Sequence, residues 1–223
     1  LRAWQDTCRR ADCEAEEYEE YVEAWAHEIK TPLSLLTMIL DNQREEIPPA
    51  VYFKLDYIRS QIQEQIGQML YYARLKSPHK CYLFEFVDLG ACVEEILEDY
   101  RILLEEKQFL VRVNFSCAQV FTDRRGIVFL ISQIVSNAVK YSSERPELTF
   151  VLEQTQKEDR LKIRDNGVGV KACDLPCLFQ KGLTGDSDNR SSKGTGMGPY
   201  LSKKMADDLR IGLEIWSERG KGF

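Results

Sequence analysis

The sequence predicts an α+β chain in two parts: a helical hairpin, then helices layered on one sheet. Three observations point there. Apolar residues recur at intervals of three and four through the first third. The pattern breaks at Ser77-Pro78-His79-Lys80. Beyond that break, short alternating runs are interleaved with helical stretches and Gly-containing turns. A length of 223 residues suits one large domain or two small ones, and the break divides the chain into 1–78 and 79–223.

In the first part, Tyr18, Val22, Trp25, Ile29, Leu33, Leu36 and Leu40 form one apolar stripe. Ile47-Pro48-Pro49 stops that helix, and Leu55, Ile58, Ile62, Ile66, Met69 and Ala73 form a second stripe. Two amphipathic helices cannot bury both stripes well alone, so two copies are expected to pair as a four-helix bundle. The acidic run over 14–23 reads as the solvated face of the first helix.

In the second part, 82–87 and 111–115 read as strands separated by one helix over 89–106. A further helix is expected over 123–142, followed by an antiparallel pair at 148–154 and 161–164. The stretch 182–198 is rich in Gly, Ser and Asp and too long for an ordinary connection, which suggests a functional lid. A helix over 200–209 and a strand over 211–216 complete the reading.

Composition narrows the function classes. With 43% hydrophobic and 30% charged residues, the chain is globular rather than disordered. A net charge of −6 gives no electrostatic reason to expect a nucleic-acid binder. The apolar runs, such as Ile127-Val128-Phe129-Leu130-Ile131, are far shorter than the ~20 residues that cross a bilayer. No secretory signal opens the sequence, so a soluble, intracellular piece is expected. The 7 cysteines lack zinc-clip spacing and read as thiols in a reducing compartment.

Four segments bear chemistry. In Trp25-Ala26-His27-Glu28-Ile29-Lys30-Thr31-Pro32, helical geometry turns His27 away from the stripe and toward solvent. Alone, it would be an ordinary surface histidine. Beside it, however, Glu28 can accept a hydrogen bond from one imidazole nitrogen and leave the other nucleophilic. Thr31 lies one turn on, where its hydroxyl can position a water. Pro32, unfavourable inside a helix by about 3 kcal/mol, is expected to bend it here. The second segment, Gln133 to Tyr141, places Asn137, Lys140 and Tyr141 on one helical face: an amide oxygen for a hard cation, an ammonium for phosphate, and an aromatic ring for packing.

The third, Arg164-Asp165-Asn166-Gly167-Val168-Gly169, puts a carboxylate at a strand end before two glycines. That arrangement suits an adenine amino group approached closely by backbone. The fourth, Lys193-Gly194-Thr195-Gly196-Met197-Gly198, opens a helix. Its exposed N–H groups and positive helix end suit phosphate, although it is neither a Walker loop nor a Rossmann fingerprint.

In this order the four segments resemble the H, N, G1 and G2 boxes of bacterial sensor histidine kinases. Phe179-Gln180-Lys181-Gly182-Leu183-Thr184-Gly185 is similar to that family's F box. The resemblance covers 14–223. It implies a dimerisation and phosphotransfer hairpin followed by an α/β sandwich ATP-binding domain of the gyrase, chaperone and histidine kinase superfamily. It implies that His27 is the phosphoacceptor, Glu28 its acid/base partner, and Thr31 a residue serving dephosphorylation of the partner. It further implies that Asn137 binds Mg²⁺, Lys140 the phosphates, and that Tyr141 packs near the nucleotide. Asp165 would read the adenine, with Gly167 and Gly169 shaping its loop. Lys181, Thr184, Gly194, Thr195, Gly196, Met197 and Gly198 would complete the ATP site on the phosphate side.

The wording of these boxes looks most like the short peptide-antibiotic-sensing, intramembrane-type kinases, which carry two N-terminal membrane helices and often work beside an ABC transporter. The resemblance thus implies ATP and Mg²⁺ as ligands, and a homodimer, a response regulator and such a transporter as partners. It also implies the cytoplasmic portion of a protein anchored in the bacterial membrane. Three departures stand out: Gln133 where a first Asn is frequent, retaining an amide oxygen for the metal; Pro199 where Leu is usual, expected to start a helix; and an end at Phe223 where relatives continue into a final strand. Two other readings compete, a nucleotide-binding dimeric scaffold without autophosphorylation and a stand-alone ATPase. The first does not use His27-Glu28, and the second does not explain the hairpin.

Overall fold

The structure, a computed structural model, describes residues 2–77, 82–115, 118–182 and 196–223. It divides into two compact units, Leu1–Tyr82 and Leu83–Phe223.

The N-terminal unit is a hairpin of α1 (Arg2–Asn42) and α2 (Pro49–Lys76). Pro49 opens α2, where a missing N–H costs nothing. Val22, Ala26 and Leu40 of α1 are buried, as are Tyr52, Ile66, Tyr71 and Ala73 of α2. Arg74 closes the far end by pairing with Glu19 and Glu23 of α1. The expected stripes are only partly covered within one chain: Tyr18, Trp25, Ile58 and Met69 remain exposed. A charged pair lies inside. Asp56 is 2% exposed and Arg59 9% exposed. Arg59 Nε and Nη2 both reach Asp56 Oδ1 at 2.7 Å, while Asp56 Oδ2 has no partner. Removing the guanidinium strands a buried carboxylate, so Arg59→Ala is expected to cost about 3–5 kcal/mol. The thermal melt of hairpin helicity measures this, and the double replacement Asp56→Leu/Arg59→Leu should recover most of the loss.

In the C-terminal unit, β1 (Phe84–Asp88) pairs antiparallel with β3 (Gln119–Asp123). A separate sheet has the order β2–β4–β5, with β2 (Leu110–Val113) parallel to β4 (Glu147–Gln154) and β4 antiparallel to β5 (Asp159–Asp165). The helices are α3 (Leu89–Asp99), α4 (Arg101–Glu106), α5 (Arg124–Lys140) and α6 (Gly198–Asp208). Helix α5 is central and packs on α3, α6 and β3. Two aspartates start the helices beside it: Asp88 caps α3 at Gly90 N, and Asp123 caps α5 at Gly126 N at 2.7 Å. Gly126 also permits the close crossing of α6, because a Cβ there would lie 2.6 Å from Leu209 Cδ1. Leu148 and Phe150 of β4, fully buried, supply the sheet side of the core.

Four sequence expectations are corrected. The single helix over 89–106 is two, broken at Tyr100 (φ −99°, ψ 4°). Glu98 and Asp99 crowd negative charge onto the negative end of α3, which favours termination. The described residues form two sheets rather than one, because the sequence pattern gives no sign of β3: its inward residue is Thr122 and its outward one Phe121, the reverse of ordinary patterning. Residues 211–216 keep an alternating burial but form no ladder among the described residues. The nearby rung is a single bridge, Glu218 to Gly222, and alternation without a hydrogen-bonded neighbour does not make a strand. Helix α6 begins at Gly198, two residues before the expected start, with Pro199 in its first turn. No helix among the described residues is long and apolar enough to cross a membrane.

Candidate functional site

On the hairpin, His27, Glu28 and Thr31 are all exposed on α1. The helix runs through Pro32, whose missing N–H leaves the Glu28 carbonyl without its usual intrahelical donor. Three hydroxyls bond back to carbonyls in the same turns: Thr31 Oγ1 to His27 O at 3.3 Å, Ser34 Oγ to Lys30 O at 2.9 Å, and Thr37 Oγ1 to Leu33 O at 3.0 Å. Such back-bonding loosens the backbone ladder locally. The imidazole is therefore reachable by a reacting partner on a turn with a weakened ladder.

The second group of residues is built around the C-terminal end of α5. Leu130, Ile131, Val135, Ala138 and Val139 bury one side of this helix. Asn137 and Lys140 are half-buried and Tyr141 is exposed. The Lys140 ammonium sits 5.2 Å from the Tyr141 ring centroid, a cation–π contact. Gln133, one turn before Asn137, has its side chain buried instead. The helix end is held by Lys107, which donates to Val139 O at 2.5 Å and to Ser142 Oγ at 3.0 Å. Burial pushes the Lys107 ammonium below its usual pKa. Nothing in the sequence marked Lys107, since a lysine in a polar turn reads as solvated.

Strand β5 delivers Asp165 to this helix end. Burial raises its carboxyl pKa above the ordinary carboxylate value, partly offset by the backbone N–H groups of Gly167 and Phe223. Gly167 N donates to Asp165 Oδ1 at 2.7 Å. A Cβ on Gly167 would lie 2.5 Å from the Tyr141 carbonyl oxygen and 2.9 Å from Asp165 Oδ1, so only glycine fits this turn. Gly169 has φ +62°, and a Cβ there would meet the Glu218 carbonyl oxygen at 2.2 Å. Gly169→Ala is expected to destabilise the C-terminal unit by more than about 1 kcal/mol from its backbone conformation alone, with the displaced 218–222 turn adding to it; urea titration measures the loss.

The structure thus brings Asn137, Lys140, Tyr141, Asp165 and Gly167 into one neighbourhood. Gly196 (φ +62°), Met197 and Gly198 stand at the start of α6, and Gly182 N reaches Gly196 O at 3.3 Å. Lys181 is exposed. Thr184, Gly194 and Thr195, with most of the expected lid, lie outside the described residues.

Residues 122–223 match the family described as histidine kinase-, DNA gyrase B-, and HSP90-like ATPase. The sensor protein BceS of Bacillus subtilis is 30% identical over 98% of this chain and 64% of its own length. The sensor histidine kinase YxdK of the same organism is 31% identical over 91% of this chain and 62% of its length. The sensor protein kinase GraS of Staphylococcus aureus is 30% identical over 92% of the chain and 58% of its length. The chain is thus similar to sensor histidine kinases over nearly all of its length. It spans a little under two thirds of the length of these relatives.

Two solved structures share the fold of this chain. Full-length ShkA in complex with AMPPNP superposes with a TM-score of 0.62 at 18% identity, over 91% of this chain and 44% of that one. The Acinetobacter baumannii histidine kinase AdeS does so with a TM-score of 0.54 at 20% identity, over 88% of this chain and 93% of that one. The hairpin followed by an α/β unit is therefore a fold that this chain shares with both structures.

Proposed function

We propose that this chain is the catalytic part of a homodimeric sensor histidine kinase that phosphorylates His27 from Mg·ATP and passes the phosphoryl group to an aspartate of a response regulator. The observation that carries this reading is an exposed histidine, followed by Glu28 and Thr31, on a helical hairpin joined to a unit of the kinase ATPase family.

The site residues fit a nucleotide. A half-buried carboxylate beside a glycine that tolerates no Cβ suits a flat base carrying an amino donor. Asp165 would accept from the adenine amino group, and Gly167 and Gly169 would let backbone approach the ring. Lys140 would meet phosphate charge, with Tyr141 packing beside the nucleotide. Lys181, Thr184, Gly194, Thr195, Gly196, Met197 and Gly198 would complete the phosphate side, where the start of α6 adds its positive end. Asn137 would offer its amide oxygen to Mg²⁺, and Gln133, one turn before it, a second one. Bound there, the ion neutralises phosphate charge.

In the transfer, an imidazole nitrogen of His27 attacks the γ-phosphorus. A P–N bond forms, the bond to the bridging β,γ-oxygen breaks, ADP leaves, and Glu28 takes the imidazole proton. The regulator aspartate then displaces the histidine nitrogen. Thr31 would orient the water that later hydrolyses the regulator's aspartyl phosphate. Positioning and charge neutralisation supply most of the acceleration. The exposed apolar residues of the hairpin, Tyr18, Trp25, Ile58 and Met69, support pairing of two copies into a four-helix bundle. The subfamily resemblance of the boxes is what supports a membrane-anchored protein and an ABC transporter partner.

Incubation with γ-labelled ATP and magnesium tests the reading. An acid-labile, base-stable label on the chain is expected. Nucleotide binding without label would instead indicate a scaffold, and released phosphate without label a stand-alone ATPase.

A further inference from the structure

We propose that Asn166 is a positioning residue that locks the adenine-reading turn to the phosphate-binding end of α5, so that the two halves of the nucleotide are gripped as one unit. This rests on the nucleotide-site reading above and assigns a role to a residue whose side-chain amide bonds the connection 143–147.

Four contacts join the turn 165–168 to the connection 141–147 between α5 and β4. Asn166 Oδ1 accepts from Glu147 N at 2.8 Å and from Ser143 Oγ at 3.4 Å. Asn166 Nδ2 donates to Arg145 O at 2.8 Å. Val168 N donates to Tyr141 O at 3.1 Å. Three of the four come from one side chain. The connection 141–147 is anchored at its two ends, by Tyr141 N to Asn137 O and by Leu110 N to Pro146 O, both at 2.9 Å, and Asn166 holds the residues between them to the turn.

An amide suits the task because it offers an acceptor and a donor a short distance apart. Aspartate keeps the acceptor but turns a second oxygen toward the Arg145 carbonyl, and alanine keeps neither. Without the clamp, Asp165 and Gly167 still form an adenine-reading turn, since the Gly167-to-Asp165 bond lies within it. What is loosened is the distance from that turn to Lys140 and Asn137, which is then left to the Val168 N to Tyr141 O bond. Ordering the two halves must then be done at the cost of binding energy.

The discriminating quantity is the ratio of Mg·ADP affinity to adenosine affinity, measured on the full chain by competition against labelled Mg·ADP. In Asn166→Ala the ratio is expected to fall about tenfold, with adenosine affinity within twofold of wild type. Asn166→Asp is expected to fall between, at about threefold. A residue that merely stabilised the fold would lower the melting temperature and leave the ratio unchanged in the folded fraction. An unchanged ratio in either folded variant overturns the proposal while leaving the nucleotide site standing. Should Asn166→Ala fail to fold, Asn166→Asp decides by the same criterion. Wild-type chain that binds no Mg·ADP overturns both the site reading and this role.

Discussion

Replacing His27 with Gln is expected to reduce phosphorylation of the chain to background while leaving Mg·ATP affinity within about twofold of wild type, as expected for a residue that contributes only to the chemical step. Glutamine keeps a polar side chain on an exposed helical turn, so stability should change by less than about 0.5 kcal/mol. It has no basic nitrogen, so no P–N bond can form. Glu28→Gln separates the roles further. The nucleophile remains and the proton acceptor is gone, which should slow phosphorylation by about 10²–10⁴-fold without removing it. Filter-bound label and nucleotide titration on the same preparations check both results. Label persisting in His27→Gln would place the phosphoacceptor elsewhere.

Asp165→Asn should separate function from stability. The carboxyl is buried enough to raise its pKa, so the folded state binds its proton more tightly than the unfolded chain does. That contribution to stability is fully present below the unfolded pKa and is lost as pH rises through the folded pKa. At neutral pH the ionised carboxylate is therefore a cost that the amide removes. The introduced amide oxygen can still accept from Gly167 N, so the melting temperature at pH 7 should be unchanged or higher. Adenine recognition should fall sharply, because a charge-assisted acceptor is lost; about 2–3 kcal/mol corresponds to a roughly 30- to 150-fold weaker affinity. The wild-type chain should also bind nucleotide less well as pH falls through the raised pKa of Asp165, and Asp165→Asn should lack that dependence. Calorimetric titration across pH and a melt of each protein supply the measurements. A variant that bound ATP normally would remove Asp165 from the adenine contact.

These two replacements fall on residues that local sequence patterns single out without coordinates. His27 beside Glu28 and before Pro32 is a local pattern on one helix. Asp165 before Gly167 and Gly169 is a local pattern on one turn. Helical periodicity likewise located the hairpin, and the helix expected over 123–142 is α5, Arg124–Lys140. Signals of this kind depend on neighbours a few residues away.

The misses had the opposite character. Strand β3 buries Thr122 and exposes Phe121, so no hydrophobic alternation announced it; its partner β1 determines it. Residues 211–216 have the alternation and lack the ladder. Lys107 and Asn166 are polar residues in turns, unremarkable until α5 and β5 deliver the carbonyls and amides they bind.

Its residues alone supplied this chain's fold class, its two-part organisation and the segments in which a nucleotide and phosphotransfer site is expected. These follow from spacing along one helix or one turn, where covalent geometry sets the distances. Tertiary structure alone decided which strands pair, how the end of α5 is held, and that the Asp165 turn is tied through Asn166 to the connection leaving that helix. Those contacts join residues some twenty to thirty positions apart, where the path of the folded backbone, and not the local sequence, determines which donor meets which acceptor.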